Sequence, residues 1–342
     1  MTRFLVVGLG SMGKRRIRNL RYLNAGEIVG FDPREDRRRE AGARYGIRTF
    51  SEFNEAIAVD PDALVISTPP DLHMRYAAIA AARRKHFFVE ASVVDEGMDE
   101  VIAMCEAERI VGAPSCTMRF HPSVRVIKDL VSEGAIGQIL AFTYHCGQYL
   151  PDWHPWEDYR AFYVAKRETG ACREIVPFEL LWLCWVCGEP ETVSCLRGKL
   201  SSLDVEIDDV YQVLLRLKGG GLGHMLVDVV SRVPYRTCRF LGEHGIIEWV
   251  WAEKRIRVFT ASEARWNEYR EPESIVEEGY MAAENMYIEE MRAFVRAIQG
   301  IDAYPYSLTE DRRILRLLYA AERSSSEGIH VAAKSWELDV IR

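Results

Sequence analysis

The chain has 342 residues, 48% apolar and 28% charged, enough to bury the cores of two domains. Its net charge of −7 argues against a nucleic-acid binder, which carries a basic face. No apolar run reaches the ~20 residues of a membrane span, and MTRFLVVGLG passes straight into glycines without a signal-peptide cleavage region, so a cytoplasmic protein is expected.

Residues 3–8, RFLVVG, form the short apolar run of a buried parallel strand. GLGSMG follows, with Gly8, Gly10 and Gly13 at the spacing of a dinucleotide turn. Gly8 permits the tight turn, Gly10 lets a pyrophosphate approach the backbone, and Gly13 lets helix and strand pack closely. KRRIRNLRYL then reads as a helix whose N-terminus, with Ser11 and Met12, faces the phosphates. The basic runs Lys14-Arg15-Arg16 and Arg37-Arg38-Arg39 read as solvated helix faces. A second strand, EIVGFD, ends in Asp32, an acid placed to bind the adenosine ribose hydroxyls. Asp32 favours NAD over NADP, while Arg34 and Arg37 can turn toward a 2′-phosphate and keep NADP open.

EFNEAIA reads as a helix, ALVIST as a strand stopped by Pro69-Pro70, LHMRYAAIAAARR as a helix, HFFVE as a strand and MDEVIAMCEAER as a helix. This alternation implies a doubly wound parallel sheet with its ligand beyond the carboxyl ends of the strands. Ser67, Thr68, Pro69, His73 and Glu90 stand at or just after those ends, where a nicotinamide would lie. The domain boundary is expected after residue 118, giving domains 1–118 and 119–342, with the C-terminal helix packing back on the first domain.

From about residue 136 the pattern changes to consecutive strands: QILAFTYHC, TVSCLRGKL, DVYQVLLRLKG, LGHMLVDVVSR, YRTCRFLGE, GIIEWVW and RIRVFT. Gly219-Gly220-Gly221 signals a hairpin, and alternation along DVYQVLLRLKG predicts a sheet with one covered face. YMAAENMYIEEMRAFVRAIQG reads as an amphipathic helix. The fold class is therefore α/β plus α+β: a Rossmann domain followed by a domain on an open, mainly antiparallel sheet. The eight cysteines are scattered among apolar neighbours, and Cys184 and Cys187 form a CxxC with no second ligand pair, so no metal is expected.

VVGLGSMGKRRIRNL, STPPDLHMRYAAIAA, VEASVV, MRFHPSVRVIKDLVSEGAIGQI, WVCGEPETV, FLGEHGIIEWV and SLTEDRRILRLLYAAERSSSEG together resemble the Gfo/Idh/MocA family. It is named for glucose–fructose oxidoreductase, inositol dehydrogenase and a rhizopine-catabolism protein. The resemblance implies hydride transfer between NAD(H) or NADP(H) and a hydroxyl carbon of a sugar, cyclitol or nucleotide sugar. It also implies a homodimer or homotetramer through the open sheet.

This chain departs from the family pattern twice. The family carries Glu-Lys-Pro where Glu90-Ala91-Ser92 stands, and Ala91 has no titratable group to move the hydroxyl proton. The family also carries an Asp and, four residues on, a His; those positions, counted back from Gly188-Glu189-Pro190, hold Glu174 and Phe178. Replacement proton carriers are sought in the polar and aromatic stretch 144–170: His154, Tyr163 and Lys166, with Glu174 or Glu179 as partner. Trp153, Trp156 and Tyr159 are expected to stack on the substrate, and Arg119 and Glu179 to bind it. Strand alternation turns one of Tyr144 and His145 toward the pocket. Two other outcomes stay open: transient oxidation by a tightly held NAD in a lyase, epimerase or glycosidase, and a non-catalytic cofactor-binding subunit.

Overall fold

The computed structural model describes residues 1–153, 157–274 and 284–334. The chain divides into two compact units, Met1–Phe120 with Ser274–Arg312, and His121–Glu273 with Arg313–Arg342.

The first unit alternates β1 (Arg3–Val7), α1 (Ser11–Tyr22), β2 (Glu27–Phe31), α2 (Glu35–Tyr45), β3 (Arg48–Phe50), α3 (Phe53–Ile57), β4 (Ala63–Ile66), α4 (His73–Ala82), β5 (His86–Val89), α5 (Met98–Glu108) and β6 (Gly112–Pro114). The six strands lie parallel in the order β3-β2-β1-β4-β5-β6, the doubly wound arrangement the alternation predicts. β4, and β1 after Arg3, are apolar throughout because helices cover both faces of the sheet. The register aligns Phe31, Val7, Ile66, Val89 and Pro114 across the sheet. The residues one step further, Asp32, Gly8, Ser67, Glu90 and Ser115, therefore line its carboxyl edge in a single row. β3 and β6, three residues each, were not foreseen; such short edge strands carry too little pattern to be seen locally.

In the second unit, α6 (Pro122–Ser132) leads to β7 (Ile139–Tyr149), α7 (Ala171–Cys187), β8 (Pro190–Gly198), β9 (Val210–Leu217), β10 (Leu222–Asp228), β11 (Val230–Gly242), β12 (Gly245–Val250), β13 (Arg255–Thr260) and β14 (Arg265–Arg270). α8 (Asn285–Ile298) then belongs to the first unit, where Met291 and Phe294 join the core beside Ile17 and Phe88. α9 (Leu308–Glu327) and the two-residue β15 (Val331–Ala332) follow. The second sheet runs β14-β13-β12-β11-β7-β10-β9-β8-β15 and is antiparallel except where β10 pairs with β7. LGHMLVDVVSR, read as one strand, is split: β10 stops at Asp228, whose carboxylate accepts from the amides of Val230 and Ser231 and turns the chain into β11.

β9 buries Tyr211, Val213, Leu215 and Leu217 and exposes Gln212, Leu214 and Arg216, so one sheet face is covered and the other open. Register places Leu222 beside Arg216 on the open face, in a row that continues through Ala141, Leu241, Ile246 and Phe259 to Trp266.

The basic run in α1 corrects the expectation of a solvated face. Lys14 reaches Glu40 at the surface, but Arg15 and Arg16 are buried. Arg15 pairs with Glu284, and Arg16 with Glu90 and Glu290. The run looks like surface because its partners lie far away in sequence. In the second run, Arg39 is exposed, whereas Arg38 donates to the carbonyls of Asp32 and Pro33.

Candidate active site

The glycine turn after β1 is built by close approach. Gly8 has φ +93°, and a Cβ there would lie 2.5 Å from the Ser67 carbonyl oxygen. A Cβ on Gly13 would lie 1.8 Å from the Gly8 carbonyl oxygen, so α1 cannot approach β1 with any side chain there. Gly10 meets no such limit from the protein, which leaves the approach of a ligand as the reason for a glycine. α1 begins at Ser11, Met12 and Gly13 with no side-chain cap and no acid in its first turn, so its positive end suits a phosphate. These residues fit a dinucleotide.

Asp32 is buried at the edge of β2; its Oδ2 accepts from the Leu9 amide at 2.8 Å and its Oδ1 from the Arg34 amide at 2.9 Å. Of the two arginines set against it, Arg34 turns away to grip Asp36 at 2.6 Å. Arg37 stays, its Nη1 3.8 Å from Asp32 Oδ2.

At the edges of β4 and β5, Ser67 donates to Glu90 Oε1 at 3.1 Å. Glu90 also takes a two-point grip from the Arg16 guanidinium, 2.7 Å to each oxygen. His73 is buried and bonds the Thr68 carbonyl at 2.9 Å and Ser92 Oγ at 3.0 Å. Burial pushes its pKa down to about 4, so the ring is neutral. A carbonyl only accepts, so Nε2 carries the hydrogen and Ser92 donates to Nδ1. Ser92, one of the two departures in Glu-Ala-Ser, thus has a place, while Ala91 between the two anchored residues presents only a methyl group.

In the second unit, Gly170 precedes α7, and in the helix's first two turns Glu174 and Phe178 are the partly exposed residues on an otherwise buried surface. Spacing of four puts both on one face. Tyr163 donates to Glu174 Oε1 at 3.3 Å, and Thr169 holds the Tyr163 carbonyl at 2.7 Å. The structure thus brings together two of the four expected proton carriers. Lys166 is exposed three residues beyond Tyr163. His154 and Trp156 lie outside the described residues. Trp153 is partly buried, and the Tyr159 hydroxyl accepts from the Asp204 amide at 3.4 Å.

Two expected substrate ligands have partners within the protein. Glu179 is fully buried and accepts from Tyr144 at 2.5 Å, Trp182 at 2.7 Å and Arg236 at 2.6 Å, which anchors α7 to the sheet. Arg119 donates to the Pro305 carbonyl at 3.0 Å, lies 3.6 Å from Glu310 and stacks 4.5 Å over the Tyr306 ring. The alternation on β7 turns Tyr144 into the core beneath α7, and His145 to the open face, where it meets Asp228 at 2.7 Å. The CxxC stands at the negative end of α7, and burial pushes the Cys187 thiol well up, away from thiolate chemistry. Among the described residues no cluster of His, Cys, Asp or Glu is arranged to hold a metal ion.

Arg16, Glu284 and Glu290 escaped the sequence reading. The available signal was a charge on an apolar stripe: Arg16 falls between Gly13 and Leu20, and Glu290 between Met286 and Phe294, at helical spacing.

Two family models match the chain: an oxidoreductase family with an NAD-binding Rossmann fold over residues 2–113, and the GFO/IDH/MocA C-terminal domain over 124–248. The levoglucosan dehydrogenase of Pseudarthrobacter phenanthrenivorans is 37% identical over 119 residues, 33% of this chain and 30% of that protein. The myo-inositol 2-dehydrogenase of Thermotoga maritima is 23% identical over 339 residues, 94% of this chain and 96% of that protein. For the first three curated relatives the matched part spans only 30%, 47% and 54% of their lengths. A levoglucosan dehydrogenase solved in complex with NADH shares the fold at a TM-score of 0.84 and 20% identity, covering 97% of this chain and 99% of that one. Among the described residues no helix is long and apolar enough to cross a membrane.

Proposed function

The chain belongs to the Gfo/Idh/MocA oxidoreductase family, and on that premise we propose that it is an NAD-dependent dehydrogenase of a sugar, cyclitol or nucleotide-sugar hydroxyl, with Tyr163 and Glu174 as its proton carriers. The observation that carries the reading is the Tyr163–Glu174 hydrogen bond, in a chain whose residue 91 has only a methyl group to offer. Bound nicotinamide supplies the hydride acceptor. The Tyr163 hydroxyl takes the substrate's hydroxyl proton as it passes its own to the Glu174 carboxylate. Gly8, Gly10, Ser11, Met12 and Gly13 cradle the pyrophosphate; Asp32 binds the adenosine ribose; Ser67, Thr68, Pro69, His73 and Glu90 shape the nicotinamide edge. Trp153 and Tyr159 face the substrate. Glu179 and Arg119 serve it through position, Glu179 held by Tyr144, Trp182 and Arg236, and Arg119 Nη1 by the Pro305 carbonyl.

Asp32 supports NAD as the cofactor, with Arg37 as the group that would meet a 2′-phosphate. The exposed apolar row on the open sheet face, from Leu222 to Trp266, supports association with a second copy there.

A second reading has its own support: Ala91 and Phe178 remove both of the family's usual proton groups. Transient oxidation with tightly held NAD would then give product with no net NADH. Titration with NADH and NADPH, followed by turnover of candidate sugars with NADH read at 340 nm, separates the readings. Net dehydrogenation yields NADH in step with product. Product without NADH supports the second reading, and the absence of both binding and turnover overturns both.

A further inference from the structure

Three strand ends in the first unit are tied together by one buried guanidinium. Arg16 projects from α1 with its side chain fully buried. It grips Glu90, after β5, through Nε and Nη2 at 2.7 Å each. Its Nη1 lies 2.9 Å from Glu290 Oε2 on α8. Glu290 in turn accepts from Ser115 Oγ at 3.0 Å, the Cys116 amide at 2.6 Å and Thr117 Oγ1 at 2.7 Å, just after β6. Ser67, after β4, completes the Glu90 shell at 3.1 Å. The guanidinium also stacks on the Phe88 ring of β5 at 4.5 Å, which fixes its plane. Burial opposes its charge, but Glu90 and Glu290 more than offset that and hold its pKa above the ordinary range.

A buried charge of this kind is costly, and apolar residues of the same shape would make a core at least as stable. Its specific yield is geometry. A planar fork on two carboxylates fixes position and orientation in a way that a flexible ammonium does not. The turn it fixes is Glu90-Ala91-Ser92, pinned at its far side by the neutral His73 through Ser92 at 3.0 Å. The adenosine side of the edge, at Gly8 and Asp32, makes none of these contacts and is organised by the Leu9 amide on Asp32.

We propose that Arg16 is a positioning residue for the nicotinamide half of the cofactor: it sets the backbone of residues 90–92 while the adenosine half is set independently. The proposal rests on the dinucleotide reading above. In a doubly wound sheet, the half containing β1, β2 and β3 takes the adenosine and the half containing β4, β5 and β6 takes the other nucleotide. Damage to the Arg16 fork should therefore be felt by one half of the ligand only.

The test is calorimetric titration of Arg16→Lys with NADH and with ADP-ribose, which lacks the nicotinamide. Lys keeps the charge and loses the fork. NADH affinity should fall about tenfold, the scale of a lost charge-assisted pair, and ADP-ribose affinity should stay within about twofold. A purely structural Arg16 would weaken both ligands together or neither, and either result overturns the proposal. If Arg16→Lys does not fold, Glu90→Gln carries the same test, because it leaves Arg16 paired with Glu290; the same split between ligands is expected. A wild-type protein that binds neither ligand overturns the dinucleotide reading itself, and this proposal with it. Binding of ADP-ribose by the wild type keeps the two failures apart.

Discussion

Tyr163 and Glu174 meet at 3.3 Å across the turn that leads into α7, one from a single 3₁₀ turn at Tyr163–Ala165 and one from the first turn of the helix. A tyrosine passes a proton on readily when a base accepts its own, and a carboxylate can serve as that base. Under the proposed function they act together, as a two-step path for the substrate's proton.

If that path is used, Tyr163→Phe and Glu174→Gln each lower kcat by about 10²–10⁴. The double variant falls no further than the worse single one, because both remove the same relay. Steady-state kinetics with the first active substrate decides this. Losses that multiply would show two independent roles and break the relay.

Ala91→Lys should not raise kcat/KM. The amine would restore the family's usual group, but under the proposed function the proton leaves through Tyr163 and Glu174 instead. A gain of roughly tenfold or more in the same assay would show that residue 91 is the missing carrier position and that the Tyr163–Glu174 path is idle.

Glu179→Ala should cost about 3–5 kcal/mol in urea unfolding, since it leaves the largely enclosed Arg236 guanidinium, and the buried Tyr144 and Trp182 donors, without their carboxylate. Glu179→Gln should cost less and leave KM unchanged. A raised KM with native stability would make Glu179 a substrate ligand instead of an anchor.

Asp311 supplies a pH signature. It is buried, Tyr306 donates to its Oδ1 at 3.1 Å, and burial raises its pKa to about 7. A raised folded-state pKa means that the stabilising contribution is complete below the unfolded value near 3.9 and is lost as pH rises through about 7. Asp311→Asn keeps an acceptor for Tyr306 and cannot ionise. The variant should therefore gain on the wild type as pH rises from 5 to 8, by roughly 1–3 kcal/mol at the top of the range. Thermal melts of both proteins across that range measure the difference; a constant offset would mean that Asp311 does not titrate there.

The dinucleotide half of the site was legible because its signals are local. The apolar run of β1, three glycines within six residues, and an acid at the end of the next strand are close in the chain, and their spacing is the geometry. The altered turn Glu90-Ala91-Ser92 was legible as an anomaly, yet its supports were not. Arg16 lies 74 residues before Glu90, inside a basic run that reads as surface. His73 looked like a ligand group, and burial makes it a neutral peg for Ser92. Glu179 looked like a spare acid, and the core beneath β7 and β11 claims it through Tyr144 and Arg236.

The strand–helix alternation of the first half and the change of pattern near residue 136 were decided by the sequence alone, because hydrophobic periodicity and glycine placement act within a few residues. Only the tertiary structure decided which charges are buried and which proton carriers meet. A side chain's solvation and partners depend on residues brought together from distant parts of the chain, so Arg16, Glu90 and Glu290 become one unit only once the sheet edge and α8 are in place.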